Sequence, residues 1–141
     1  GTEVIPSFLY DEGFFMFRNY MKNDSYINIS NWLIYSDPHN PLINDTYEIL
    51  LDYWKKEKVF IQYYGFPLIF KLVTDHYLEY WKTLTPYSNI PPHVLQEVLL
   101  EQYNSNTLKK IFSVSMIHKL KWRVPEKPEK DSYLYYLLND C

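Results

Sequence analysis

The chain has 141 residues, 47% of them hydrophobic and 22% charged, which is enough for one packed core and excludes a disordered or fibrous polymer. Fourteen Lys and Arg stand against 17 Asp and Glu, and a net charge of −3 provides no general attraction for nucleic acid. The one cysteine, Cys141, excludes an internal disulfide and any cysteine-based metal site, and with no secretory leader and no run of ~20 apolar residues a cytoplasmic location is expected. Aromatic side chains make up 19% of the sequence, with 15 Tyr, 8 Phe and 4 Trp. Such rings fill cores, and they also stack on sugars.

Residues 13–19, GFFMFRN, are β-prone and apolar enough for a buried strand. Residues 26–36, YINISNWLIYS, begin with alternating polarity and become continuously apolar, which predicts a second strand. A turn at 36–40 then leads to Asn40-Pro41, a capping residue followed by a first-turn proline. A helix is predicted from 41 to about 57, with Leu42, Ile43, Tyr47, Leu50, Leu51 and Trp54 as its apolar stripe. Its partner is predicted over 59–75, with Phe60, Tyr63, Tyr64, Leu68, Ile69, Leu72 and Val73 on the apolar face and a kink or a restart of the helix at Pro67. A short helix over 76–84 precedes a proline-rich break at 85–92. The next helix should bury Val94, Leu95, Val98 and Leu99, and a further one Leu108, Ile111 and Phe112. Residues 113–122 read as extended, with Val114, Met116, His118, Leu120 and Trp122 on one face and Lys119 and Lys121 on the other. The Pro- and charge-rich stretch 125–131 reads as a linker to a short terminal helix over 132–138. The expected organisation is one domain over 1–141, α/β and mostly helical, with a few short strands near the N-terminus.

Residues capable of chemistry are few. Three glycines cannot form a Gly-rich phosphate loop, and there is no Gly-x-Ser-x-Gly turn, His-x-x-x-His pair or Asp-x-Asp. His118 with Lys119 could meet an anion, because imidazole offers a donor or a ligating nitrogen and the ammonium adds charge. A hydrogen-bonded core histidine is the plainer reading. Tyr63 and Tyr64 could form a sugar-stacking shelf, although such a pair also suits a core. Lys55, Lys56 and Lys58 close the first helix, where cations complement the carbonyl end of its dipole. With nearby aromatics they could also touch a membrane surface.

In order along the chain, NISNWLIYSDPHNPLI, LLDYWKKEKVFIQYY, the Trp81–Gln96 segment ending YSNIPPHVLQ, IHKLKW and the closing KDSYLYYLLN resemble the capsular polysaccharide synthesis glycosyltransferases. The resemblance covers nearly the whole chain. It implies a carbohydrate-active transferase of GT-A-like fold in bacterial surface polysaccharide synthesis. A nucleotide-sugar donor and a saccharide or lipid-linked acceptor would be its partners, at the inner membrane face. It further implies a divalent cation, Mn or Mg, held on the donor diphosphate by an acidic motif in an N-terminal half, the present chain resembling the C-terminal, acceptor-side portion. On that resemblance His118 approaches the metal or the donor diphosphate and Lys119 adds charge, while Asn31, Trp32, Gln62 and Tyr63 lie near the sugar and acceptor. Two positions depart from the family pattern: Gln62 stands where an Asp is expected, and Pro67 where a His is expected. The alternative from a different class is a non-enzymatic, aromatic-rich helical module that binds glycan or protein.

Overall fold

The two strand-forming segments pair with each other. In the computed structural model, which describes residues 5–19, 29–59, 64–121 and 123–139, β1 (Phe14–Arg18) and β2 (Ile29–Ser36) form a two-stranded antiparallel sheet. Gly13 opens β1 at φ +69°, and a Cβ there would come within 2.8 Å of the Asp37 carboxylate, so glycine is required where the hairpin ends meet. β1 is buried on both faces. Phe14 and Met16 point into a core with Ile29, Leu42, Phe70, Val73, Trp81 and Leu84. Phe15 and Phe17 meet an outer aromatic layer, with Phe15 against Phe8 at 5.6 Å and Tyr87 at 5.3 Å, and Phe17 stacked on Trp32 at 5.1 Å. That two-sided burial explains the continuous apolar run in the strand.

Three helices cover the inner face: α1 (Pro41–Lys56), α2 (Gly65–His76) and α3 (Leu78–Thr83). Asn40 caps α1 as expected, its side-chain oxygen accepting from the Leu42 amide at 3.0 Å, and its side-chain NH2 donates to the Tyr80 hydroxyl at 2.8 Å. The predicted stripe of α1 is only half right. Leu42 and Thr46 are buried, whereas Tyr47 and Trp54 are 57% and 45% exposed. Thr46 can be buried because its hydroxyl donates to the Leu42 carbonyl at 2.6 Å, which satisfies the polar atom locally.

In α2 the buried residues are Pro67, Phe70, Val73 and Thr74, while the predicted Leu72 is 65% exposed. Of the kink or restart expected at Pro67, the structure shows a helix start. The helix starts at Gly65, so Pro67 falls in the first turn, where amides have no intrahelical acceptor to lose. The remainder of the predicted stretch, 60–63, lies outside the described residues.

The chain divides into two compact units, Gly1–Ser88 and Asn89–Cys141. The second contains α4 (Ile90–Val98), α5 (Ser105–Val114) and α6 (Tyr133–Asn139). The proline pair falls within the first turn of α4, and Asn104 caps α5 by accepting from the Thr107 amide at 3.0 Å. Leu95, Leu108, Ile111 and Tyr133 form the core, with Tyr103 stacked on Tyr136 at 4.1 Å. The expected terminal helix docks through its backbone as well as its apolar face. The Tyr133 and Leu134 amides, left without intrahelical acceptors at the start of α6, donate to the carbonyls of Glu101 and Leu99 just beyond α4, at 3.1 and 2.8 Å. Two sets of orphan groups are thereby satisfied together. The described residues thus show a mostly helical chain with one small sheet near its start.

The predicted extended strand over 113–122 does not form. α5 runs to Val114, and residues 115–121 follow without regular structure, with Val114, Met116 and Leu120 exposed. Alternating polarity stabilises a strand only where a neighbouring strand takes up its backbone groups, and none of the described strands lies alongside.

Candidate functional site

In the first unit, Asn31 and Trp32 sit at a break in the sheet register. Met16 pairs with Ile34 while the next residue, Phe17, pairs with Ser30, so residues 31–33 of β2 have no partner on β1. Such bulges turn side chains out of the regular alternation. Asn31 is exposed, and Trp32 is half-buried with one ring face laid on Phe17 at 13° between planes. Gln62 and Tyr63, expected near the same sugar, lie outside the described residues.

In the second unit, His118 and Lys119 lie on the segment that leaves α5. The Ser115 hydroxyl donates to the Ile117 carbonyl at 2.5 Å and accepts from the Ile117 amide at 3.2 Å, which stiffens the turn out of the helix. The Lys119 amide donates to the Pro92 carbonyl in the first turn of α4 at 2.9 Å. The backbone on either side of His118 is therefore tied down. Its ring lies against Phe112, centroids 5.1 Å apart, and both ring nitrogens are shielded from solvent with no hydrogen-bond partner among the described residues. This differs from the hydrogen-bonded core histidine considered above. Burial lowers the His118 pKa below the ordinary imidazole value; the nearby Ser115 backbone opposes this without completing a hydrogen bond. The imidazole is consequently neutral at pH 7, with one nitrogen able to donate and the other able to accept.

The remaining histidines have other surroundings. His93 Nδ1 donates to the Asn89 carbonyl at 2.6 Å, and His39 occupies a turn at φ +66°. Among the described residues no group of three or more His, Cys, Asp or Glu could hold a metal ion. His118 alone does not constitute a divalent-cation site, which needs several ligands.

Two features had no signal in the sequence. A polar depression of about 270 Å³ is lined by Leu100, Gln102, Glu129, Lys130, Asp131 and Ser132, around Asp131 at φ +69°. Arg18, at the end of β1, donates to the carbonyls of Trp81 and Leu84 at 3.2 and 2.9 Å and lies 3.9 Å from the centroid of the Trp81 ring. Both depend on residues more than 25 positions apart, and local patterning does not encode such pairings.

Comparison with known proteins yields a family: the one described as capsular polysaccharide synthesis protein matches residues 2–137. No curated protein and no solved structure matches the chain.

Proposed function

The chain belongs to the capsular polysaccharide synthesis protein family, and from that premise we propose that it forms the C-terminal, acceptor-side part of a nucleotide-sugar-dependent glycosyltransferase of GT-A-like fold. The family match over 2–137 is the observation that carries this reading. In the reaction, an acceptor hydroxyl oxygen forms a bond to the anomeric carbon of the donor sugar as its proton passes to solvent or to the departing diphosphate. The bond from that carbon to the diphosphate breaks, and the nucleoside diphosphate departs.

His118 supplies an N–H to a diphosphate oxygen, with Lys119 adding positive charge; the support is an imidazole whose nitrogens have no protein partner among the described residues. A buried donor left unpaired is costly, and a ligand oxygen would relieve that cost. Asn31 and Trp32 contact the sugar or acceptor, the exposed amide by hydrogen bonding and the indole by stacking. A divalent cation would neutralise the leaving diphosphate, but the described residues do not form a site for one.

The test is release of nucleoside diphosphate from a panel of sugar nucleotides, with Mn or Mg and saccharide acceptors, by the whole protein and its His118→Ala and His118→Gln variants. We expect His118→Ala to lower turnover about 100-fold, on the scale of losing one transition-state donor, while its melting curve stays cooperative. Full turnover in a folded His118→Ala variant would refute the role of His118, and absence of turnover with every donor would refute the transferase reading.

A further inference from the structure

The sequence from Gln102 to Pro125 contains five of the 14 lysines and arginines and none of the 17 acids. In a chain of net negative charge this is the one long stretch of a single sign, and the structure gives it a surface. Leu108 and Ile111 turn α5 toward the core, leaving Lys109, Lys110, Phe112 and Val114 outward. Beyond the helix, Met116 is 73% exposed, and Leu120, Lys121, Arg123 and Val124 are exposed as well. None of the ion pairs among the described residues involves Lys109, Lys110, Lys119 or Lys121. Large apolar side chains and cations therefore alternate over one continuous segment, held in shape at Ser115 and Lys119 by the hydrogen bonds already described.

We propose that this face docks on an anionic lipid surface. The cations match the phosphates of acidic headgroups, while Phe112, Val114, Met116 and Leu120 enter the boundary between headgroups and acyl chains. A nucleic acid would satisfy the charges and leave the aliphatic and thioether side chains of Val114, Met116 and Leu120 in water. No helix among the described residues is long and apolar enough to cross a membrane, so the contact is peripheral. The other lysine-rich place, the end of α1, lacks this character. There Lys55 is paired with Asp52 at 2.9 Å, and Glu48 and Glu57 are interspersed with the cations.

The experiment is flotation of the full chain with vesicles of phosphatidylcholine alone and of phosphatidylcholine mixed with phosphatidylglycerol. Binding is expected only to the mixed vesicles, and it should weaken from about 0.1 M to about 1 M salt as the screening length falls from about 10 to about 3 Å. Lys109→Glu with Lys110→Glu should reduce partitioning on the order of tenfold or more, since each surface cation contributes about fivefold. Met116→Asp, at an exposed position that folding does not need, should also reduce it, while Lys55→Glu with Lys56→Glu should leave it unchanged. Equal binding to neutral vesicles, no binding to the mixed vesicles, or variants that bind like the original chain would overturn the proposal. So would a concentration-dependent dimer that Met116→Asp abolishes while vesicles are not bound, because the face would then belong to a second copy.

Discussion

The two units use their polar groups differently. In Gly1–Ser88 polar side chains serve tertiary structure: Arg18 clamps the end of α3, Asn40 joins α1 to Tyr80, Tyr77 donates to Asp45 at 2.8 Å, and at the surface Glu12 accepts from the Thr85 amide and hydroxyl at 2.8 and 2.6 Å. In Asn89–Cys141 a smaller core is surrounded by exposed apolar side chains and lysines, and its shielded imidazole has no partner among the described residues. Groups already engaged within the protein are unavailable to a ligand. The contrast accords with the proposals made above, which place recognition of anions and surfaces in the second unit and, in the first, only the contacts of Asn31 and Trp32 on the bulged strand.

Substitutions can break that contrast. The largest effect is expected at Phe70, fully buried and ringed by Phe14, Phe66 and Trp81 at 5.8 to 6.0 Å. Phe70→Ala should cost about 3–5 kcal/mol in denaturant unfolding; a cost below 1 kcal/mol would mean that the first unit is not organised around it. Arg18→Gln removes two charge-assisted hydrogen bonds and the cation over Trp81, and should cost about 2–3 kcal/mol by the same measurement.

The caps provide a matched pair across the two units. Asn40→Ala and Asn104→Ala each remove an N-cap worth about 1 kcal/mol, but only Asn40 is buried and also holds Tyr80. The Asn40 variant should melt at the lower temperature, and equal losses would erase this difference between the units. The smallest effect concerns pH. An unfolded imidazole titrates near about 6.5, and folding lowers the His118 value below that. Between the two values the unfolded chain holds more protons, so stability falls as pH is lowered through that window, and above it this group has no effect. Unfolding curves of His118→Gln should be less sensitive to pH in that range than those of the original chain.

Legibility in the sequence followed the range of the interaction. The Asn40-Pro41 start was readable because a cap and a first-turn proline act within four residues, and helices at α4, α5 and the docked terminus were readable from their apolar spacing; the prolines read as a break instead open α4, and the Asn104 cap of α5 went unread. The faces of α1 and α2 were misjudged. Tyr47 and Leu72 fit an apolar stripe as well as Thr46 and Phe70 do, and only the neighbours Phe14, Leu42 and Trp81 decide between them. The stretch after α5 reads as a strand by alternation, but no strand pairs with it among the described residues. As for the site, residue chemistry raised His118 and Lys119 as a pair able to meet an anion, and the family resemblance tied that anion to a donor diphosphate. That the imidazole has no hydrogen-bond partner among the described residues was visible only with coordinates.

By itself the sequence determined where most helices begin, that the first strands are apolar enough to be buried, that one 24-residue stretch carries only positive charge, and to which family the chain belongs. These are properties of residue type and short spacing, whose free energies are set within a turn or two of chain. The tertiary structure alone decided which face of each helix is covered, that β2 bulges at Asn31 and Trp32, that Arg18 closes over Trp81, and that His118 is shielded without a partner among the described residues. Each of these depends on a neighbour distant in sequence, and such a neighbour becomes adjacent only when folding offsets the entropy of closing the loop between them.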